Sequence, residues 1–246
     1  MKKIRLGVNI DHVATLRNAR NEGYPNLIDV AKILKKIRVD SITVHLREDR
    51  RHIKDEDVEA LKKENLLPLN LEMAATKEMK EICIKTLPEF CCIVPERREE
   101  LTTEGGLDVK NQMMYLSKFI PDLINCNIKV SLFVDPDFEQ IKASKELGVN
   151  SVELHTGKFA RLYNEKQSDK ELERIKKASQ LCRELGLGCH AGHGLNFENV
   201  SQISSINEVE ELNVGHFLIS NSIFMGLENS IKEFMRIIKH RNYNQH

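Results

Sequence analysis

His45 and Arg47 stand two residues apart in the stretch Ser41–His52, SITVHLREDRRH, with Arg50, Arg51 and His52 just beyond them. An imidazole moves protons near neutral pH, and guanidiniums bind phosphate oxygens. The stretch therefore has the chemistry for acid–base work on an anionic, phosphorylated ligand. Similar groups recur along the chain: Asn9, Asp11 and His12 in VNIDH, Glu72 in NLEM, Glu153 and His155 in VELHT, His190 and His193 in CHAGHG, and His216 after Gly215. Carboxylates and imidazoles with tuned pKa values are the usual agents of proton transfer on and off carbon and oxygen. Glycines beside His193 (Gly192, Gly194) and before His216 (Gly215) would let backbone N–H groups approach an anion closely.

Several of these groups alternate with apolar residues, and that period-two alternation predicts the strands that must position them. The predicted strands are Leu6–Asp11, Ser41–Leu46, Pro68–Met73, Phe90–Val94, Lys129–Asp135, Ser151–Thr156, Leu187–Gly194 and one within Leu212–Ser220, which Gly215-His216 interrupts. Helical patterns lie between them, among them Leu27–Ile37, Asp55–Glu64, a helix after the cap Thr76, Asn111–Asn125 with a disturbance at Pro121, Phe138–Leu147, Ser168–Leu185, Phe197–Ile206 and a final helix in Ile223–Lys239. Alternating strands and helices imply a parallel sheet, and eight such units fit a closed barrel. The chain reads as α/β, a single (β/α)8 TIM barrel over residues 1–246 with additional short helices. No G-x-G-x-x-G follows strand one and there is no P-loop, which speaks against an open nucleotide-binding sheet. In a parallel barrel all the strand ends named above meet at one mouth, where barrel enzymes keep their sites.

Composition narrows the function classes. Thirty-seven basic and thirty-seven acidic residues among 246 give a formal net charge of zero, so no bulk field draws the protein to nucleic acid or to an anionic membrane. No apolar run reaches membrane-spanning length, and the start MKKIRLGVNIDH does not read as a secretory signal. The six cysteines lack C-x-x-C spacing and read as reduced core thiols of a cytoplasmic protein. Met113, Met114 and Phe217 read as core packing, and Asp169–Lys177 as a solvated helix face. The polar stretch Glu96–Lys110, with Gly105-Gly106, is a candidate lid.

Taken together, GVNIDHVATLRNAR (7–20), SITVHLREDRRH (41–52), NLEMA (70–74), TTEGGLDV (102–109), HTG (155–157), AGHGL (191–195) and ELNVGH (211–216) resemble the pyridoxine 5'-phosphate synthase family. The resemblance implies a (β/α)8 barrel whose extra helices assist assembly, typically as a homo-octamer. It implies condensation of 3-amino-2-oxopropyl phosphate with 1-deoxy-D-xylulose 5-phosphate to give pyridoxine 5'-phosphate, inorganic phosphate and water. His45, Glu72 and His193 would be the acid–base residues, and Glu153 would stabilise developing positive charge. Asn9, Arg20, Gly194, Gly215 and His216 would bind the amino-ketone phosphate; Asp11, His12, Arg47, His52 and Thr102 would bind the deoxyxylulose phosphate. Arg20 would reach an adjacent subunit's site. The imine can form between the substrates, so neither cofactor nor metal is expected, and the partners are small phosphorylated substrates. Two positions depart from the family's pattern, His190 and Ser220-Asn221. Two other readings are a metal-dependent barrel hydrolase built on His45, Glu72, His155 and His190, and a phosphate-ligand sensor without turnover.

Overall fold

The computed structural model describes residues 3–20, 22–96 and 105–239. Eight strands form the closed parallel barrel: β1 Arg5–Asn9, β2 Ser41–His45, β3 Leu69–Met73, β4 Phe90–Ile93, β5 Lys129–Val134, β6 Ser151–His155, β7 Gly188–Gly192 and β8 Val209–Val214. Neighbours pair in chain order, and β8 closes on β1 with Leu6 opposite Leu212 and Val8 opposite Val214. Eleven helices surround them among the described residues: α1 Asp11–Asn18, α2 Leu27–Ile37, α3 Asp55–Glu64, α4 Lys77–Thr86, α5 Val109–Asn125, α6 Phe138–Glu146, α7 Gly157–Asn164, α8 Asp169–Glu184, α9 Val200–Ser204, α10 His216–Met225 and α11 Leu227–Lys239. Three of these are additional to one helix per strand: the connections after β1, β6 and β8 each hold two. None is long and apolar enough to cross a membrane.

Each strand sorts its residues by parity. Leu6, Val8, Ile42, Val44, Leu69, Leu71, Met73, Val130, Leu132, Val152 and Leu154 join one large core between barrel and helices. The alternate positions point into the barrel, and most of them are polar: Arg5, Asn9, Ser41, Thr43, His45, Asn70, Glu72, Ser131, Glu153, His155, His190, Glu211 and Asn213. Among the described residues, the apolar cluster on that side is small, formed by Cys92, Val94 and Phe133. Barrels of this kind normally fill their interior with bulky branched side chains. Here the helix-facing shell supplies the hydrophobic burial, and the interior is left to polar groups that must satisfy one another.

Local signals place the helices. Asn26 caps α2 by accepting from Ile28 N–H at 2.7 Å, and Thr76 caps α4 by accepting from Met79 N–H at 3.4 Å. α5 runs unbroken through Pro121. The largest departure from the sequence pattern lies at the C-terminal end. β8 finishes at Val214 and Gly215 is a helix cap, so Gly215-His216 ends the strand rather than interrupting it, and the apolar run after it is helical. The expected final helix is in fact two, divided at Gly226 (φ 77°). Phe217 does pack on the core, edge-on to Phe197, whereas Met114 is 78% exposed and belongs to no core. Glu171 is likewise an exception on the solvated face of α8: it is buried between Lys158 and Arg174.

Candidate active site

The C-terminal ends of the strands bring the acid–base candidates together. The ligand atoms of Asp11, His45 and Glu72 all lie within 4.8 Å of one another. Asp11 is the first residue of α1, yet its side chain does not cap that helix. Its Oδ1 accepts the His45 backbone N–H at 2.9 Å, and Oδ2 accepts Asn9 Nδ2–H at 2.9 Å. Burial raises the Asp11 pKa to about 6, against the lowering influence of His45 and these hydrogen bonds. Glu72 is driven well above the usual carboxylate range by burial and by the neighbouring Glu153 and Asp11 carboxylates.

Glu153 lies in the barrel interior and is held up to about 8 by burial, which outweighs the hydrogen bond from Asn213. Asn213 Nδ2–H donates to Glu153 Oε2 at 2.7 Å, and Asn213 Oδ1 accepts Thr43 Oγ1–H at 3.1 Å. Beyond Asn213, Glu211 accepts from Arg5 Nε–H at 2.8 Å, and Arg5 also contacts His190 Nε2 at 3.3 Å. Gly192 makes the room: a Cβ there would collide with Glu153 Oε1 and lie 2.8 Å from the Asn213 carbonyl oxygen.

Imidazoles crowd the same mouth. The His12 and His216 rings are 4.7 Å apart, His45 and His52 6.2 Å, and His155 and His193 5.0 Å. Burial first, and neighbouring cationic groups after it, lower His52 to about 3, with His45, His12, Arg47 and Arg51 contributing, and His193 to about 4. His193 is an exposed residue, but the chain packed around its ring, together with His155, His216 and Arg161, still disfavours its charged form. His12 is lowered for the same reasons, burial first and then His216. Receiving an anion would favour the charged forms of His12, His52 and His193. The backbone fits that role. His193 and Gly194 have φ of 81° and 79°, and α10 begins at the barrel mouth with no side chain capping its N-terminus. Gly215 sits against Asn9: a Cβ at 215 would lie 2.8 Å from the Asn9 Cβ and Oδ1.

Not every cation of the Ser41–His52 stretch faces this mouth. Arg47 is buried, 3.9 Å from Asp49. Arg50 pairs instead with Asp55 at 2.8 Å and Glu78 at 2.5 Å, and Arg51 with Asp49 at 2.6 Å. Arg20 lies just beyond α1 and is exposed. Thr102, and most of the candidate lid, fall outside the described residues. The four side chains of the hydrolase reading are dispersed: His190 turns to Arg5 and Glu211, and His155 to Asp135 at 3.3 Å. Among the described residues, the trio that could hold a metal is instead Asp11, His45 and Glu72. Two of its members already have partners: Asp11 accepts two N–H groups, and His45 Nε2 lies 2.8 Å from Glu96 Oε1. At the other departure from the family's pattern, Asn221 bonds Ser230 within the α10–α11 pair.

Sequence reasoning missed Glu96, Asn213 and Asp135. Glu96 also accepts the Glu48 N–H at 3.0 Å, and its carboxyl is held below the usual range: His45 and these bonds outweigh burial. A signal for Asn213 was present, because it has the parity of an inward residue on β8. Glu96 had none, since it precedes a polar loop with no period.

An eight-stranded parallel barrel whose mouth gathers carboxylates and imidazoles defines a class of barrel enzyme. The same fold recurs in 3-keto-L-gulonate-6-phosphate decarboxylase from Vibrio cholerae, at 12% identity over 97% of this chain and 99% of that one, with a TM-score of 0.65. A family model described as pyridoxal phosphate biosynthesis protein PdxJ matches residues 6–240. Curated proteins named pyridoxine 5'-phosphate synthase are similar along their whole length. The Sulfurihydrogenibium protein is 52% identical over 96% of this chain and 98% of its own, and that of Ehrlichia chaffeensis 51% over 97% and 98%. The chain belongs to the PdxJ family.

Proposed function

We propose that the chain is a pyridoxine 5'-phosphate synthase that condenses 3-amino-2-oxopropyl phosphate with 1-deoxy-D-xylulose 5-phosphate, releasing inorganic phosphate and water. One observation carries the reading: Asp11, His45 and Glu72 are gathered at a mouth that also collects His12, His52, His193 and His216. Imine formation between the two substrates, dehydration, loss of phosphate and ring closure each move a proton. Glu72, kept above the ordinary carboxylate range by burial and by the Glu153 and Asp11 carboxylates, is suited to hold a proton and pass it on. His45 is aligned by Asp11 and Glu96 to exchange a proton beside it. His193 is the proton donor; an arriving phosphate would raise its pKa and load it. Glu153, buried in the barrel interior, is assigned to stabilise positive charge that develops in the ring precursor, which requires that charge to draw off the proton that burial keeps on its carboxyl.

The amino-ketone phosphate is assigned to Asn9, Arg20, Gly194, Gly215 and His216, where glycines and the start of α10 meet. The deoxyxylulose phosphate is assigned to Asp11, His12, Arg47, His52 and Thr102. In the same reading the enzyme is cytoplasmic and assembles as a homo-octamer, with Arg20 reaching a neighbouring subunit. Exposed apolar side chains at the end of α10, Ile223 at 79% and Phe224 at 86%, support assembly.

The test mixes purified protein with both substrates, without added metal, and follows phosphate release and product mass. Product that is lost in Glu72→Gln supports the reading. Binding of both substrates with no product from the wild-type protein would overturn it in favour of a sensor.

A further inference from the structure

His155, Thr156 and Gly157 all stand against His193. Thr156 is fully buried, and its hydroxyl lies 2.7 Å from both the Gly192 and the His193 carbonyl oxygens. Its backbone N–H also donates to the Gly192 carbonyl at 2.8 Å. These bonds pin the chain where His193 adopts φ 81°, a conformation a non-glycine residue holds only when its surroundings impose it. The His155 ring stands nearly perpendicular to the His193 ring, at 5.0 Å and 65°. His155 is itself braced, by Asp135 at Nδ1 (3.3 Å) and by the Phe133 ring at 5.2 Å. Its Nε2 is buried with no hydrogen-bond partner among the described residues. Gly157 supplies the space: a Cβ there would lie 2.6 Å from His155 Nε2 and 2.8 Å from His193 Cδ2.

We propose that His155, Thr156 and Gly157 form a positioning element that seats the His193 imidazole for proton donation. Thr156 fixes its backbone, His155 with Asp135 backs its ring, and Gly157 leaves the gap in which the two rings meet. The inference rests on the reading of His193 as the proton donor. None of the three residues needs to touch substrate. They act by restricting where the imidazole can be, and misplacing a catalytic group by about 1 Å can cost on the order of 100-fold in rate.

The experiment compares Thr156→Val, which keeps the shape and removes the hydroxyl, with Thr156→Ser, which keeps the hydroxyl. Two readouts are taken on the full-length protein: steady-state turnover of both phosphorylated substrates, and the titration of His193 by NMR on histidine-labelled protein, with the signal assigned through His193→Asn. In Thr156→Val, kcat should fall about 10- to 100-fold with KM unchanged, and the His193 midpoint should rise towards the ordinary imidazole value as the ring leaves its neighbours. Thr156→Ser should restore both. Wild-type behaviour of Thr156→Val in both readouts, or equal damage in the serine variant, would overturn the proposal. Should the valine variant fail to fold, Gly157→Ala gives the same decision, since a folded alanine variant with an unmoved His193 titration refutes the seating. A wild-type protein that makes no product removes the synthase reading, and the titration then still decides whether the triplet seats His193.

Discussion

Glu153 invites a test in which stability and activity move in opposite directions. Its carboxyl is buried inside the barrel and its pKa is raised from 4.5 to about 8. In the unfolded chain it would titrate near 4.5, so between about pH 4.5 and 8 the folded protein holds a proton that the unfolded chain has lost. Stability then falls as pH rises through that window and levels off above it. At about 1.4 kcal/mol per pKa unit, the gap corresponds to roughly 5 kcal/mol at full ionisation, an upper figure because Glu211 shares the field. Glu153→Gln keeps an oxygen that can accept the Asn213 N–H and removes the charge. Urea unfolding of both proteins, at one protein concentration and at steps from pH 5 to 9, reads the difference. The variant should gain on the wild type progressively, by several kcal/mol at pH 8 or above, while its turnover collapses. A stability difference that does not change with pH would refute the claim that this carboxylate is ionised at a cost.

Three further outcomes follow from the same geometry. Asp11→Ala leaves the buried His45 backbone N–H without its acceptor and should destabilise the protein by about 1–3 kcal/mol in urea titrations, whereas Asp11→Asn, which retains an oxygen, should cost less. Inorganic phosphate or either substrate should raise the NMR titration midpoints of His52 and His193 from about 3 and about 4, because an anion favours their charged forms; midpoints that ignore saturating phosphate would deny the mouth its anion. Gly192→Ala drives a methyl into Glu153 and the Asn213 carbonyl, so it should cost about 1–3 kcal/mol and most of the turnover, and a fully active, equally stable variant would show that the crowding is absent.

The strands were legible because their information is local. In LNLEM or SVELH the parity of apolar and polar residues alone tells which side chains face the helices and which face inward, and a strand has only two faces. The eightfold alternation then fitted a closed parallel barrel, and closure brings the polar strand ends to one mouth. The end of β8 was misread for an equally local reason: LNVGHFLIS is rich in apolar residues on both sides of Gly215, and a short buried strand cannot be told from the start of an apolar helix by periodicity.

What the sequence by itself determined was therefore the inventory and the order: which acids, bases and glycines stand at which strand ends, and that these ends converge. Only the tertiary structure decided their partners. The parallel registers set Gly192 opposite both His155 and Asn213, so that Asn213 reaches Glu153 on β6 across β7. Glu96 reaches His45 across 51 residues of chain, and Thr156 reaches His193 across 37. Arg50 was lost to Asp55 and Glu78 because helices α3 and α4 bring those carboxylates to it. Hydrogen bonds and pKa shifts depend on distances of a few ångströms and on burial. Both are set by how the barrel closes and not by any spacing along the chain.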